Sequence, residues 1–167
     1  GSGDVMVSYV HNLYDGLKMQ ENAVQIYEPL SAFYKTDIQH QYEKGAVPGM
    51  TVEPELTAEL ADGAKAFADV ALVVISRFSG EGWDRSSVEC SNEFNPWETE
   101  TSMPKISAEV FPDGDFYLTA REKAMLAMVK ERFENIAVVL NIGGIIDLSW
   151  IKNDDQIGAA LLGWQGG

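Results

Sequence analysis

Two strand-length runs, apolar on both faces and separated by a helix with legible ends, constrain this chain more than any other feature. Asp69-Val-Ala-Leu-Val-Val-Ile-Ser76 and Asn135-Ile-Ala-Val-Val-Leu-Asn141 are nearly continuous and rich in β-branched residues, a pattern of strands buried between helix layers. Between them Thr119 is an N-cap with Glu122 three residues later, a capping box, and Leu126, Val129 and Phe133 follow at helical spacing. The spacing predicts a helix over 119–133. Strand, helix and strand in parallel register require a crossover, so the predicted fold is α/β: a three-layer α/β/α sandwich, flavodoxin-like, on a mostly parallel sheet. Ala159-Ala-Leu-Leu-Gly163, starting near Ile157, reads as a third strand, and Ala23-Val-Gln-Ile-Tyr27 as a shorter fourth. Val7, Val10, Leu13, Tyr14 and Leu17 predict a helix from Asp4 to Lys18; Leu56, Leu60 and Ala64 predict another from Pro54 to Phe67.

A chain of 167 residues, 46% apolar, has enough material for one hydrophobic core, and residues 1–167 read as a single sandwich domain. Its formal net charge of −14 sets the field of the whole molecule against nucleic acid and anionic membrane surfaces. The lone Cys90 has no disulfide partner, and its neighbours Glu89 and Glu93 raise a thiol pKa rather than lower it. His11 and His40 stand apart with no cysteines beside them, so no metal and no cofactor is expected. Asp113-Gly-Asp115 lacks the rest of a calcium-ligand series and reads as a turn. The apolar runs are far shorter than the roughly 20 residues of a membrane helix, and no signal pattern opens the chain. Localisation stays open, the cytoplasm being slightly favoured over secretion.

From Arg77 to Phe116 the alternation stops for about 40 residues, a length that inside a compact domain is usually functional or disordered. This stretch leaves the C-terminal end of a strand, where open α/β sheets place their ligands. It begins with Ser79-Gly80-Glu81-Gly82-Trp83-Asp84-Arg85. Glycines on both sides of Glu81 free the backbone and leave the carboxyl unshielded, as a proton donor requires. By itself such a Gly-Glu-Gly reads as a surface turn with a solvated Glu.

The order of motifs carries more. Ser79-Gly-Glu-Gly-Trp-Asp-Arg85 after a strand, Phe116-Tyr-Leu-Thr119 opening a helix, Val138-Val-Leu-Asn-Ile-Gly-Gly144, Ser149-Trp-Ile151 and Gly163-Trp-Gln-Gly-Gly167 together resemble the C-terminal α/β sandwich domain of family three glycoside hydrolases, the β-glucosidase group. Gly1-Ser-Gly-Asp4, Tyr9 and Gly16-Leu-Lys18 resemble the start of the same domain. The resemblance implies a retaining β-glycosidase with an active site shared between two domains. A nucleophilic Asp on a (β/α)-barrel attacks the anomeric carbon, and a Glu of the sandwich protonates the leaving oxygen. That Glu maps onto Glu81. It further implies that Ser2 hydrogen-bonds the glycone. Trp83 is a candidate to stack on the aglycone or to pack the loop, and Asp84 and Arg85 to support the loop as an ion pair. Asn141-Ile-Gly-Gly144 becomes a strand-to-helix turn rather than a phosphate cradle.

A barrel of about 250 residues cannot fit in this length, so the chain is expected to be a fragment of a larger two-domain hydrolase, with the barrel as its partner and a β-glucoside or related β-glycoside as substrate. The sandwich itself is expected to be incomplete. An absent first strand would leave an unpaired sheet edge and invite self-association. The isolated chain is expected to be inactive. The alternatives are a non-catalytic carbohydrate-binding or scaffold domain of the same fold, and an unrelated flavodoxin-like nucleotide or flavin binder. Glycone and linkage preference, and the role of the insertion from Ser86 to Asp115, are not legible.

Overall fold

The computed structural model describes residues 11–47, 49–78 and 103–164, with side chains from 106 onward in the last stretch. In chain order they form α1 (Leu13–Lys18), α2 (Glu28–Glu43), α3 (Ala58–Phe67), β1 (Val70–Arg77), α4 (Met103–Val110), α5 (Ala120–Lys130), β2 (Asn135–Ile142), α6 (Ser149–Lys152) and β3 (Ile157–Leu162).

The sheet is parallel throughout, in the order β1-β2-β3. Val73, Val138 and Ala160 stand in one row across it, and Ile75, Leu140 and Leu162 in the next. Side chains alternate between faces along a strand, and one face carries Val73, Ile75, Ile136, Val138, Leu140 and Ile142, all buried. Ala61 and Ala64 of α3, Met125, Leu126 and Val129 of α5, and Phe133 close over that face to make the main core. On the other face Val70, Leu72, Val74 and Leu161 are exposed. The described residues thus supply the sheet and the helical layer on one side of an α/β sandwich. Within them the sheet ends on β1 and β3, the edges on which the expected self-association would fall. No helix among the described residues is long and apolar enough to cross a membrane.

The capping box lies where its residues predict: the Thr119 side chain accepts from Glu122 N at 3.2 Å, and Glu122 Oε2 accepts from Thr119 N at 2.7 Å. Other boundaries move for local reasons. The helix expected from Pro54 begins at Ala58, because Thr57 caps it through Leu60 N. The helix expected over 4–18 begins at Leu13, where Asn12 and Asp15 form a reciprocal box; residues 4–10 lie outside the described part.

The strand expected over 23–27 is absent. Those residues form turn and extended chain leading into α2, and Tyr27 docks on α3 instead, its ring 5.5 Å from that of Phe67. The Tyr27 hydroxyl occupies the space that a Cβ at Gly63 would take. Two helices were not foreseen at all. Pro29 starts α2, which buries no residue fully, and α4 lies inside the long irregular stretch. Beyond α4, Phe111 packs with Met50 in a small second cluster, and Gly114, at φ 86°, makes the expected turn.

A core on one face of the sheet has a direct consequence for adjacent residues of β1. Ile75→Ala should lower the stability of this chain to urea by about 2–5 kcal/mol, while Val74→Ala should cost less than about 1 kcal/mol. Equal costs would contradict the packing described.

Candidate functional site

The proposed donor Glu81, with Ser2, Trp83, Asp84 and Arg85, lies outside the described residues. What the structure does describe is the base from which the Glu81 segment departs, the C-terminal end of β1.

β1 ends on a charge that points into the core. Arg77 continues the inward series Val73, Ile75, and its side chain is only 2% exposed. A guanidinium has five N–H donors and is never deprotonated in a protein, so at this depth each donor needs an acceptor. All five have one. Nη1 and Nη2 grip the two oxygens of Glu122 at 2.6 and 2.7 Å; Nε donates to Asp115 O at 3.0 Å, Nη2 to Tyr117 O at 3.0 Å, and Nη1 to Ser76 O at 2.8 Å. The guanidinium carbon lies 4.7 Å from the centre of the Phe111 ring. Burial raises the Glu122 pKa, but the Arg77 contacts and the Thr119 amide outweigh it and hold the carboxyl below its ordinary value. One side chain thereby joins the end of β1, the 115–117 turn and the start of α5.

A second segment meets the chain just past β1. Residues 49–53 form a strap that touches Phe78: a Cβ built on Gly49, at φ 81°, would lie 2.8 Å from Phe78 Cβ. The strap is tied to α2 through Gln41, whose Oε1 accepts from Val52 N at 2.9 Å and whose Nε2 donates to Val52 O at 2.8 Å and also to Asp37. Next to it the Tyr34 hydroxyl donates to Glu53 Oε1 at 2.6 Å. Burial pushes the Glu53 carboxyl up to about 7; the Tyr34 hydrogen bond pulls the other way, and the charges of Glu122 and Asp37 add to the rise. Burial and Glu53 together push the Tyr34 phenol up as well.

Sequence reasoning foresaw Glu122 as a helix cap and missed that it also neutralises Arg77. The available signal was a cationic residue at the next inward position of an otherwise apolar strand. His11 and His40 are both exposed, and no cluster of three metal-ligating side chains occurs among the described residues.

Comparison with known proteins places these features in context. The family model described as glycosyl hydrolase family 3 C-terminal domain matches residues 1–167. The chain is 44% identical over its whole length to beta-glucosidase A of Butyrivibrio fibrisolvens, covering 20% of that protein, and 28% identical to a beta-glucosidase of Ruminococcus albus, covering 15% of it. It thus spans about a fifth or less of the length of these relatives. Among solved structures, beta-glucosidase 3B from Thermotoga neapolitana in complex with glucose superposes with a TM-score of 0.72 at 26% identity, over all of this chain and 21% of that one. A beta-glucosidase from Paenibacillus barengoltzii gives 0.70 at 28% identity, over 96% of this chain and 16% of that one.

The Arg77 pair makes a sharp stability test. Arg77→Met strands the Glu122 carboxylate in the core and should cost about 3–5 kcal/mol, whereas Arg77→Met with Glu122→Leu should recover most of the loss. The sign with pH follows from the lowered Glu122 pKa. Its stabilisation is full above the unfolded carboxylate range and is lost as pH falls through the folded value, so wild type but not the double variant should show this acid-side loss. A double variant no more stable than the single one would contradict the pairing.

Proposed function

We propose that this chain, which belongs to the glycosyl hydrolase family 3 C-terminal domain family, supplies the general acid/base to a retaining β-glucosidase, and that Glu81 is the residue. The observation that carries the reading is the Ser79-Gly-Glu-Gly-Trp-Asp-Arg85 motif in a chain 44% identical throughout to a beta-glucosidase. Family membership removes the unrelated flavin or nucleotide binder from consideration.

The proposed chemistry needs two carboxyl groups roughly 5–5.5 Å apart, one ionised to attack the anomeric carbon and one protonated to release the leaving group. The nucleophilic Asp belongs to a barrel domain outside this chain. Glu81 gives its proton to the glycosidic oxygen as the C–O bond breaks, then takes one from the water that opens the glycosyl-enzyme. Burial under a bound sugar and the charge of the neighbouring nucleophile both raise a carboxyl pKa, keeping the donor protonated near neutrality. In this scheme Ser2 binds the glycone and Trp83 offers a ring to the aglycone, while Asp84 and Arg85 hold the loop. The Arg77–Glu122 pair supports the reading from below, since it fixes the strand end two residues before Ser79. The substrate proposed is a terminal β-linked glucoside, and the partner is the barrel domain.

In the complete protein, Glu81→Ala should slow hydrolysis of a glycoside with a poor leaving group by about 10²–10⁴-fold. With an activated aryl β-glucoside, added azide should restore turnover and yield the β-glycosyl azide. Near-native activity in the variant would move the acid/base to a carboxylate between Glu89 and Asp115, and absence of hydrolysis in the wild type would favour the non-catalytic domain. The 167-residue chain alone should show no glycosidase activity; robust turnover from it would contradict an active site divided between two domains.

A further inference from the structure

Glu81 follows the end of β1 on a short tether. It stands four positions after Arg77, at most about 14 Å of fully extended chain, so the placement of residues 77 and 78 bears directly on where its carboxyl can reach. Both residues are gripped from more than one side. The Arg77 guanidinium is fixed from the core by its five hydrogen bonds, and its carbonyl accepts from Gly143 N, just past β2, at 3.2 Å.

The 49–53 strap holds the same two residues from elsewhere in the chain. A Cβ at Gly49 would lie 2.8 Å from Phe78 Cβ and 3.2 Å from its Cγ, so the strap backbone approaches Phe78 more closely than any other residue type would allow. One position on, buried Met50 packs with Phe111, whose ring lies 4.7 Å from the Arg77 guanidinium carbon. The strap is itself anchored to α2, where Gln41 bonds both the N–H and the carbonyl of Val52. Stability alone does not require the buried charge, because a well-packed apolar pair serves a core equally well. What five directional bonds and a backbone contact add is position.

We propose that Arg77 and Gly49 are positioning residues for the proton donor: together they fix residues 77–78, from which the Glu81 segment departs, and so set where that carboxyl meets the leaving-group oxygen. The proposal rests on the Glu81 reading. In that scheme the C–O bond electrons stay with the departing oxygen and the Glu81 proton neutralises it. Displacing a catalytic group by about 1 Å can cost about 10²-fold. The loss is greatest for a basic leaving oxygen, which needs the proton most, and least for an activated one.

This dependence on the leaving group separates positioning from folding. In the complete protein, kcat/KM is measured over a series of aryl β-glucosides from dinitrophenyl to phenyl. Two variants perturb the grip from opposite sides: Arg77→Met with Glu122→Leu, which keeps the core filled, and Gly49→Ala, which lies outside the core. In each, the phenyl glucoside should lose at least about tenfold more than the dinitrophenyl glucoside, and Glu81→Ala should give a steeper series still. A smaller folded fraction lowers every member of the series by the same factor. An equal loss across the series, or no loss, in either variant overturns the proposal, while a steep series in Glu81→Ala then leaves the acid/base reading standing. A series no steeper than wild type in Glu81→Ala would overturn that reading and the positioning proposal with it.

Discussion

One buried guanidinium organises the end of the molecule where function is expected. Arg77 could not remain in the core by burial alone, because the cost of removing its charge from water is several kcal/mol. The bidentate bond to Glu122, three backbone carbonyls and the Phe111 ring together offset it. The acceptors lie on three pieces of chain: β1 itself at Ser76, the turn at Asp115 and Tyr117, and α5 at Glu122. The same contacts that keep the charge satisfied therefore fix the relative positions of β1, the turn at 115–117 and the N-terminus of α5. Replacing the pair with apolar side chains could match its stability, but not the geometry that five directional bonds impose.

The carboxylates around this point divide by environment. Glu122 is deep but doubly bonded to a cation, so its proton is held loosely and it stays charged. Glu53 is bonded to a tyrosine hydroxyl instead; burial raises its pKa, the charges of Glu122 and Asp37 add to the rise, and the Tyr34 hydrogen bond opposes them. Their opposite responses place the most favourable range for this end of the fold in mildly acidic to neutral solution.

The strands and the main crossover were legible because they rest on short-range patterns: β-branched runs for β1 and β2, and a capping box whose two hydrogen bonds lie within three residues. The parts that were not legible depend on contacts between distant residues. Helix α2 buries no side chain fully, so its apolar period is weak, and Pro29 was its main marker. Tyr27 reads as strand until α3 supplies Gly63 as the gap for its hydroxyl. Arg77 reads as the first residue of a loop because its partners lie some 40 positions on, though its place in the Val73, Ile75, Arg77 series was visible. Nothing local marks Glu53 as perturbed, since its environment is assembled from α2 and α5. The acid/base candidate stands differently again: Glu81 is legible through the family motif and its glycine neighbours, not through periodicity, charge or packing.

The division of labour proposed here is a strand end fixed by Arg77 and a proton donor carried just beyond it, meeting a nucleophile from another domain. A crystal structure of the complete protein with its glycosyl-enzyme trapped by a fluorinated glucoside tests that division most directly. The account predicts the sugar bonded to a barrel carboxylate, with the Glu81 carboxyl within about 3.5 Å of the water or leaving-group oxygen at the anomeric carbon. Glu81 far from that carbon, with another carboxylate in its place, would contradict it.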